Sequence, residues 1–158
     1  IQTYTKDYII FAAEQSLKRL NVEALDILQL HSPNIEKLEQ DEPWLALEEL
    51  KKAGKIRHAG WSVQSFKETE HAHILDRHHD LLDVLQIRYN LFEMEAEKVL
   101  FPKAMEYGIG IIVRIPLLFG FEILSYPFLS LGNRKDFSRY LVVSFCSERL
   151  KTDFFLQI

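Results

Sequence analysis

The chain has 158 residues, of which 47% are hydrophobic and 27% charged, a composition typical of one ordinary globular domain with a real core. Its 19 basic and 23 acidic residues give a net charge of −4 without any basic block, which argues against nucleic acid as the main partner. The single cysteine, Cys146, cannot form an internal disulfide, and neither a signal-peptide pattern nor a bilayer-length apolar run occurs. These features predict a cytoplasmic chain that has no membrane partner.

The first two predicted elements are a helix and a buried strand. Residues 7–20 place Ile9 and Ala13 on one apolar stripe at helical spacing. Residues 25–31 form an apolar run that ends in His31 and is too short for a helix, which is typical of a strand buried on both faces of a parallel sheet. Side chains just past the C-terminal ends of such strands line ligand sites, so His31 is the first candidate for chemistry.

The alternation of helix and strand then continues along the chain. After a polar loop, helices at 41–53, 65–79 and 95–107 alternate with strands at 56–62, 84–89 and 110–115. Ser65 and Glu68 form a capping box at the start of one of these helices. The unit recurs about every 30 residues, the length of one βαβ step. The pattern predicts an α/β fold with about four parallel βα units.

The alternation stops after Gly120. Residues 121–131 are apolar and aromatic without a clear period, and the run 141–145 fits a helix or a strand equally well. We therefore expect two parts, a βα segment over residues 1–120 and a divergent tail over residues 121–158. The tail is expected to be irregular or helical and to pack on or beside the first part.

Five segments resemble, in order and spacing, landmarks of the aldo-keto reductases. They are SLKRL (16–20), LDILQLH (25–31), ALEELKKAGKIRHAGWS (46–62), LQIRYN (85–90) and GIGIIVRIPLLFG (108–120). The resemblance implies part of an eight-stranded (β/α)8 TIM barrel, namely strands four to seven. It also implies an oxidoreductase that passes hydride from NADPH or NADH to the carbonyl carbon of an aldehyde or ketone, with weak binding of NADP or NAD in this chain.

The resemblance gives roles to three residues at strand ends. His31 matches the catalytic histidine, which helps to orient and polarise the substrate carbonyl. Ser62 and Gln86 match the two residues that hold the nicotinamide carboxamide. No metal is implied.

Three further residues would bind the cofactor by the same resemblance. Arg114 stands where the family has an aromatic side chain that stacks on the nicotinamide, so a planar cation replaces the ring. Pro116 and Leu117 match the loop that passes along the cofactor phosphates. One departure from the family is Val63, which stands where many members have an asparagine.

Each candidate also has a purely structural explanation. His31 could be a buried histidine bonded to backbone, and a serine such as Ser62 is common as a cap after a strand. Gln86 lies in an apolar strand, where a buried amide must bond a neighbour or face a ligand. Arg114 must pair with an acid, for which Asp26 is a candidate, or with an anionic ligand.

Four histidines between residues 71 and 79 raise the question of a metal site. They supply no i, i+4 pair with a third ligand, so a solvated helix face is the preferred explanation. We expect no metal centre.

The family's catalytic aspartate, tyrosine and lysine have no counterpart in the matching segments. Reduction of a carbonyl needs a proton as well as a hydride, and positioned acid–base catalysis is worth about 10²–10⁴ in rate. We therefore expect this chain alone to be inactive or nearly so. A non-catalytic binding or interaction module derived from a barrel, and a decaying fragment with no selected role, stay open as alternatives.

The chain starts at Ile1, which suggests a piece of a longer protein or a truncated product. Four parallel strands cut from a closed barrel leave two open edges and an uncovered apolar face. We expect self-association or pairing with another half-barrel.

Overall fold

The computed structural model describes residues 3–63 and 71–116 together with the backbone of residues 155–157. The helices are α1 (Lys6–Leu20), α2 (Ile35–Leu38), α3 (Asp41–Lys52), α4 (Ala72–His78), a 3₁₀ helix (Glu95–Lys98) and α5 (Leu100–Glu106). The strands are β1 (Leu25–His31), β2 (Ile56–Ser62), β3 (Val84–Arg88), β4 (Gly110–Arg114) and β5 (Phe155–Gln157).

The described strands form one parallel sheet in the order β4-β3-β2-β1-β5. The first four are neighbours in chain order and are joined by helical connections, which confirms the predicted α/β fold of four parallel βα units. Their succession along the sheet in chain order is that of consecutive strands in a (β/α)8 barrel.

The C-terminal strand was not predicted. β5 pairs in parallel with β1, with Phe155 opposite Ile27 and Gln157 opposite Gln29. The edge of β1 that faces away from β2 presents unpaired backbone groups, and a short extended segment satisfies part of them. The run 141–145 and most of the rest of the tail lie outside the described residues.

Two helical segments differ from the predicted pattern. The predicted helix over 95–107 is divided into the 3₁₀ helix and α5, because Pro102 has no backbone N–H and its ring would clash with the carbonyl of Lys98 in a continuous helix. The predicted loop before Asp41 contains α2, which is capped by Asn34 through a 3.0 Å bond from the Lys37 N–H to its side-chain oxygen. The capping box at 65–68 lies outside the described residues.

The two faces of the sheet differ in chemistry. One face packs against the helices and contributes to an apolar core that includes Leu28, Trp61 and Leu85 together with helical residues such as Leu47. Side chains alternate along a strand, so residues one position away occupy the opposite face, which in a closed barrel is the interior. Within residues 3–63 and 71–116, no helix combines the length and the apolar character needed to cross a membrane.

Candidate functional site

A polar row crosses three strands at the C-terminal edge of the sheet. His31 lies opposite Ser62, and Ser62 lies opposite Gln86, in the register of β1, β2 and β3. Gln86 Nε2 donates a 3.3 Å hydrogen bond to Ser62 Oγ, and both side chains are buried. The sequence-predicted candidates on these three strands therefore lie side by side.

Arg114 lies one row further along the sheet, opposite Arg88. Its Nη2 donates a 3.2 Å bond to the carbonyl of Val63, which follows directly after β2, so the side chain reaches across the end of β3 towards Ser62. The Asp26 carboxylate, the acid considered as its partner, accepts a 2.6 Å bond from Arg57. Arg114 and the polar row thus form one site, which we call the rim site (His31, Ser62, Gln86 and Arg114).

His31 ends β1 with an exposed side chain. Its carbonyl oxygen accepts a 2.5 Å hydrogen bond from the hydroxyl of Tyr4, and Ser32 follows with a left-handed φ of 52°. Burial raises the pKa of the Tyr4 phenol. The structural explanation of His31 as a buried histidine is wrong.

The loop after β4 carries the last two predicted cofactor residues. Ile115 has a φ of 57°, a costly conformation for a β-branched residue, and its carbonyl accepts a 3.4 Å bond from Asn90 Nδ2. Pro116 follows and is partly buried. Leu117 lies outside the described residues, so its predicted role stays a prediction.

A second set of polar residues beside the rim site escaped the sequence analysis. Arg88 Nε bonds Glu93 Oε2 at 2.5 Å, and Asn90 Nδ2 bonds the same oxygen at 2.7 Å. The Asn90 side-chain oxygen accepts the Phe92 N–H at 3.0 Å, which fixes the loop after β3. The period-two pattern of β3 could have indicated Arg88, since it lies two residues beyond Gln86 and shares its face.

The histidines between residues 71 and 79 do not behave as one solvated face. His73 is exposed, whereas His71 is buried and His78 stacks on Trp44 with ring centroids 4.0 Å apart. Burial lowers the pKa of His78, and the neighbouring Arg77 adds to this effect. The expectation of a solvated face is thus wrong for His71 and His78. Among residues 3–63 and 71–116 no group of three metal-binding side chains occurs.

The rim site combines buried hydrogen-bonding groups with a cation. The amide of Gln86 and the hydroxyl of Ser62 both donate and accept hydrogen bonds, as does a carboxamide, and both are withdrawn from solvent. The guanidinium of Arg114 is planar and cationic, so it can stack on a ring or pair with a phosphate. Polar residues at the C-terminal edge of a parallel sheet commonly line ligand sites.

Comparisons with known proteins identify the family to which this fold and sequence belong. The model of the Aldo/keto reductase family matches residues 1–126. The aldo-keto reductase AKR11C1 from Bacillus halodurans, in its holo form, has a TM-score of 0.64 and 29% identity over 75% of this chain and 39% of its own. The glycerol dehydrogenase AKR11B4 from Gluconobacter oxydans has a TM-score of 0.67 and 26% identity over 88% of this chain and 41% of its own.

The chain spans less than half the length of both solved relatives. Its four consecutive parallel βα units correspond to part of a (β/α)8 barrel. The family match extends over the whole set of strands β1 to β4, including the rim site. By the match over 126 of its 158 residues, this chain belongs to the aldo/keto reductase family.

Proposed function

We propose that this chain is a segment of a nicotinamide-dependent aldehyde or ketone reductase and that its rim site holds the nicotinamide end of NADP or NAD. The observation that carries the proposal is the row of His31, Ser62 and Gln86, in register across three strands and closed by the Gln86–Ser62 hydrogen bond. This row offers directional polar contacts at a barrel edge where family members place chemistry. The cytoplasm is the proposed location, because the one cysteine suits a reducing compartment.

Each rim residue has a proposed task. Ser62 and Gln86 hold the carboxamide and so fix which face of the nicotinamide ring is presented. Arg114 lies against the ring or the adjoining phosphate, and Pro116 and Leu117 belong to the loop along the phosphates. When bound, the cofactor supplies the hydride. His31 orients and polarises the carbonyl of the substrate by hydrogen bonding.

We propose further that the chain alone does little or no reduction. The carbonyl oxygen must receive a proton while the carbon receives hydride, and none of the four rim side chains has the family's proton-donor position. Cofactor binding without turnover is therefore the expected behaviour of the isolated chain. A non-catalytic binding module would also bind without turnover, and it would stay inactive when the remaining barrel strands of a relative are supplied.

Titration of NADPH and NADH against the chain, followed by nicotinamide fluorescence, tests the cofactor proposal. We expect Gln86→Ala to weaken binding about tenfold, since loss of one hydrogen bond to a buried partner costs about 1.4 kcal/mol. Gln40→Ala is the matched control, because Gln40 is exposed before α3 and its side chain makes no capping bond. Equal affinity of the Gln86→Ala variant and the unmodified chain, or no binding of either cofactor, would contradict the proposal.

A further inference from the structure

The N-terminal segment is bonded to the residue that ends β1. Tyr4 lies just before α1, 27 positions from His31, and its hydroxyl donates a 2.5 Å hydrogen bond to the His31 carbonyl. Tyr4 is only 8% exposed and belongs to the apolar core. A rigid aromatic side chain therefore connects the core to the backbone of the rim site.

This bond lies where the chain leaves β1. The His31 carbonyl belongs to the peptide that joins the strand to Ser32, whose φ of 52° is left-handed, and Pro33 follows. A non-glycine residue rarely takes this conformation unless its surroundings determine it. Fixing the carbonyl fixes ψ of His31, and pairing with β2 opposite Ser62 holds the other side of the residue.

We propose that Tyr4 is a positioning residue for His31, holding the strand-end peptide so that the imidazole projects over the rim site. Tyr4 is not a proton donor to substrate, because its hydroxyl donates to the backbone. The functional consequence rests on the proposed function, in which His31 contacts a substrate carbonyl. The geometric part does not, since it concerns the direction of the imidazole in the cofactor-free chain.

Tyr4→Phe tests the proposal, because it removes one oxygen and keeps the ring. The chain has six histidines, and His58, His71, His73, His78 and His79 serve as internal references in ¹H–¹³C spectra of the imidazole rings. We expect the His31 ring signals to shift and broaden while the other five stay in place. Tyr8→Phe is the control, since it makes the same chemical change on the exposed side of α1 and should move none of them.

Two results would overturn the proposal. One is a His31 signal that Tyr4→Phe leaves unchanged, and the other is an equal shift of all six histidines, which indicates a general structural role. In the unmodified chain the Tyr4 hydroxyl proton should exchange slowly and show a nuclear Overhauser effect to the backbone of Ser32, and absence of that signal would also refute it. If His31 responds but neither NADPH nor NADH binds, the positioning role stands and the cofactor proposal fails.

Discussion

Gln29 is a fully buried polar residue beside the rim site. It lies on β1 two residues before His31 and therefore on the same face of the strand. Its position in the sheet is opposite Gly60. Within residues 3–63 and 71–116, neither its amide oxygen nor its amide nitrogen has a hydrogen-bond partner. Such a group lowers the stability of the folded state, because its hydration is lost and nothing replaces it.

Gln29→Leu should stabilise the chain, since leucine has a similar volume and no polar atoms. We expect the free energy of unfolding to rise by about 1–2 kcal/mol, measured by urea denaturation followed by circular dichroism. Gln40→Leu makes the same change at an exposed position and should leave the value within about 0.5 kcal/mol. A destabilised Gln29→Leu variant would mean that the amide has partners in solution that leucine cannot replace.

Some residues of the site could be predicted from the sequence and others could not, for a physical reason. Ser62 ends one short strand and Gln86 lies in the next. Consecutive parallel strands have their C-terminal ends at the same edge of the sheet, so the proximity of the two residues follows from the pattern. No comparable sequence pattern indicated Tyr4. Its contact with His31 depends on how α1 packs against the sheet, which the apolar stripe of a helix does not specify. The bond from Arg114 to the Val63 carbonyl was not predicted either, because every residue has a backbone carbonyl and the sequence does not distinguish one from another.

A network of polar residues connects helix and strands at the opposite end of the sheet. The Asp83 carboxylate accepts bonds from Lys51 Nζ at 2.5 Å and from the Ala59 N–H at 3.0 Å. The same ammonium group bonds the carbonyl of Leu81 at 3.2 Å. One carboxylate thus connects α3, β2 and the start of β3. The carboxylate thereby fixes how these three elements pack together.

Asp83→Ala should destabilise the chain by about 2 kcal/mol, because it removes the carboxylate acceptor of the Ala59 N–H and of the Lys51 ammonium group. The comparison is with Asp80→Ala, three residues earlier and almost wholly exposed, for which a change below about 0.5 kcal/mol is expected. Urea denaturation measures both. Equal effects of the two substitutions would show that the network adds nothing beyond an ordinary surface charge.

The element boundaries show which local sequence patterns predicted the structure correctly. The strands begin where the apolar runs begin, and α3 begins at Asp41 as its acidic first turn predicted. The division between the 3₁₀ helix and α5 was not predicted, because the apolar spacing continues past Pro102, whose missing N–H interrupts the helix. The pairing of β5 with β1 could not be predicted, since it joins segments more than a hundred residues apart through backbone groups alone.

For the whole molecule, the order of the elements predicted the fold well. Four βα repeats require parallel strands in chain order, and right-handed crossovers leave little choice of topology. Membership in the family adds what periodicity lacks, namely that the four units match part of a larger barrel. The pattern of these residues does not specify what occupies the remaining part of that barrel.

The interior face of a barrel segment should promote association, because in a complete barrel other strands cover it. The described part of the sheet ends at β4, where Ile112 lies on that face opposite Gln86. We expect light scattering to report a mass that rises with concentration, and Ile112→Lys to reduce the rise, since burying an unpaired ammonium is unfavourable. Leu45→Lys, at an exposed position on α3, is the control and should leave association unchanged. A monomer that melts cooperatively at every concentration would contradict pairing between copies.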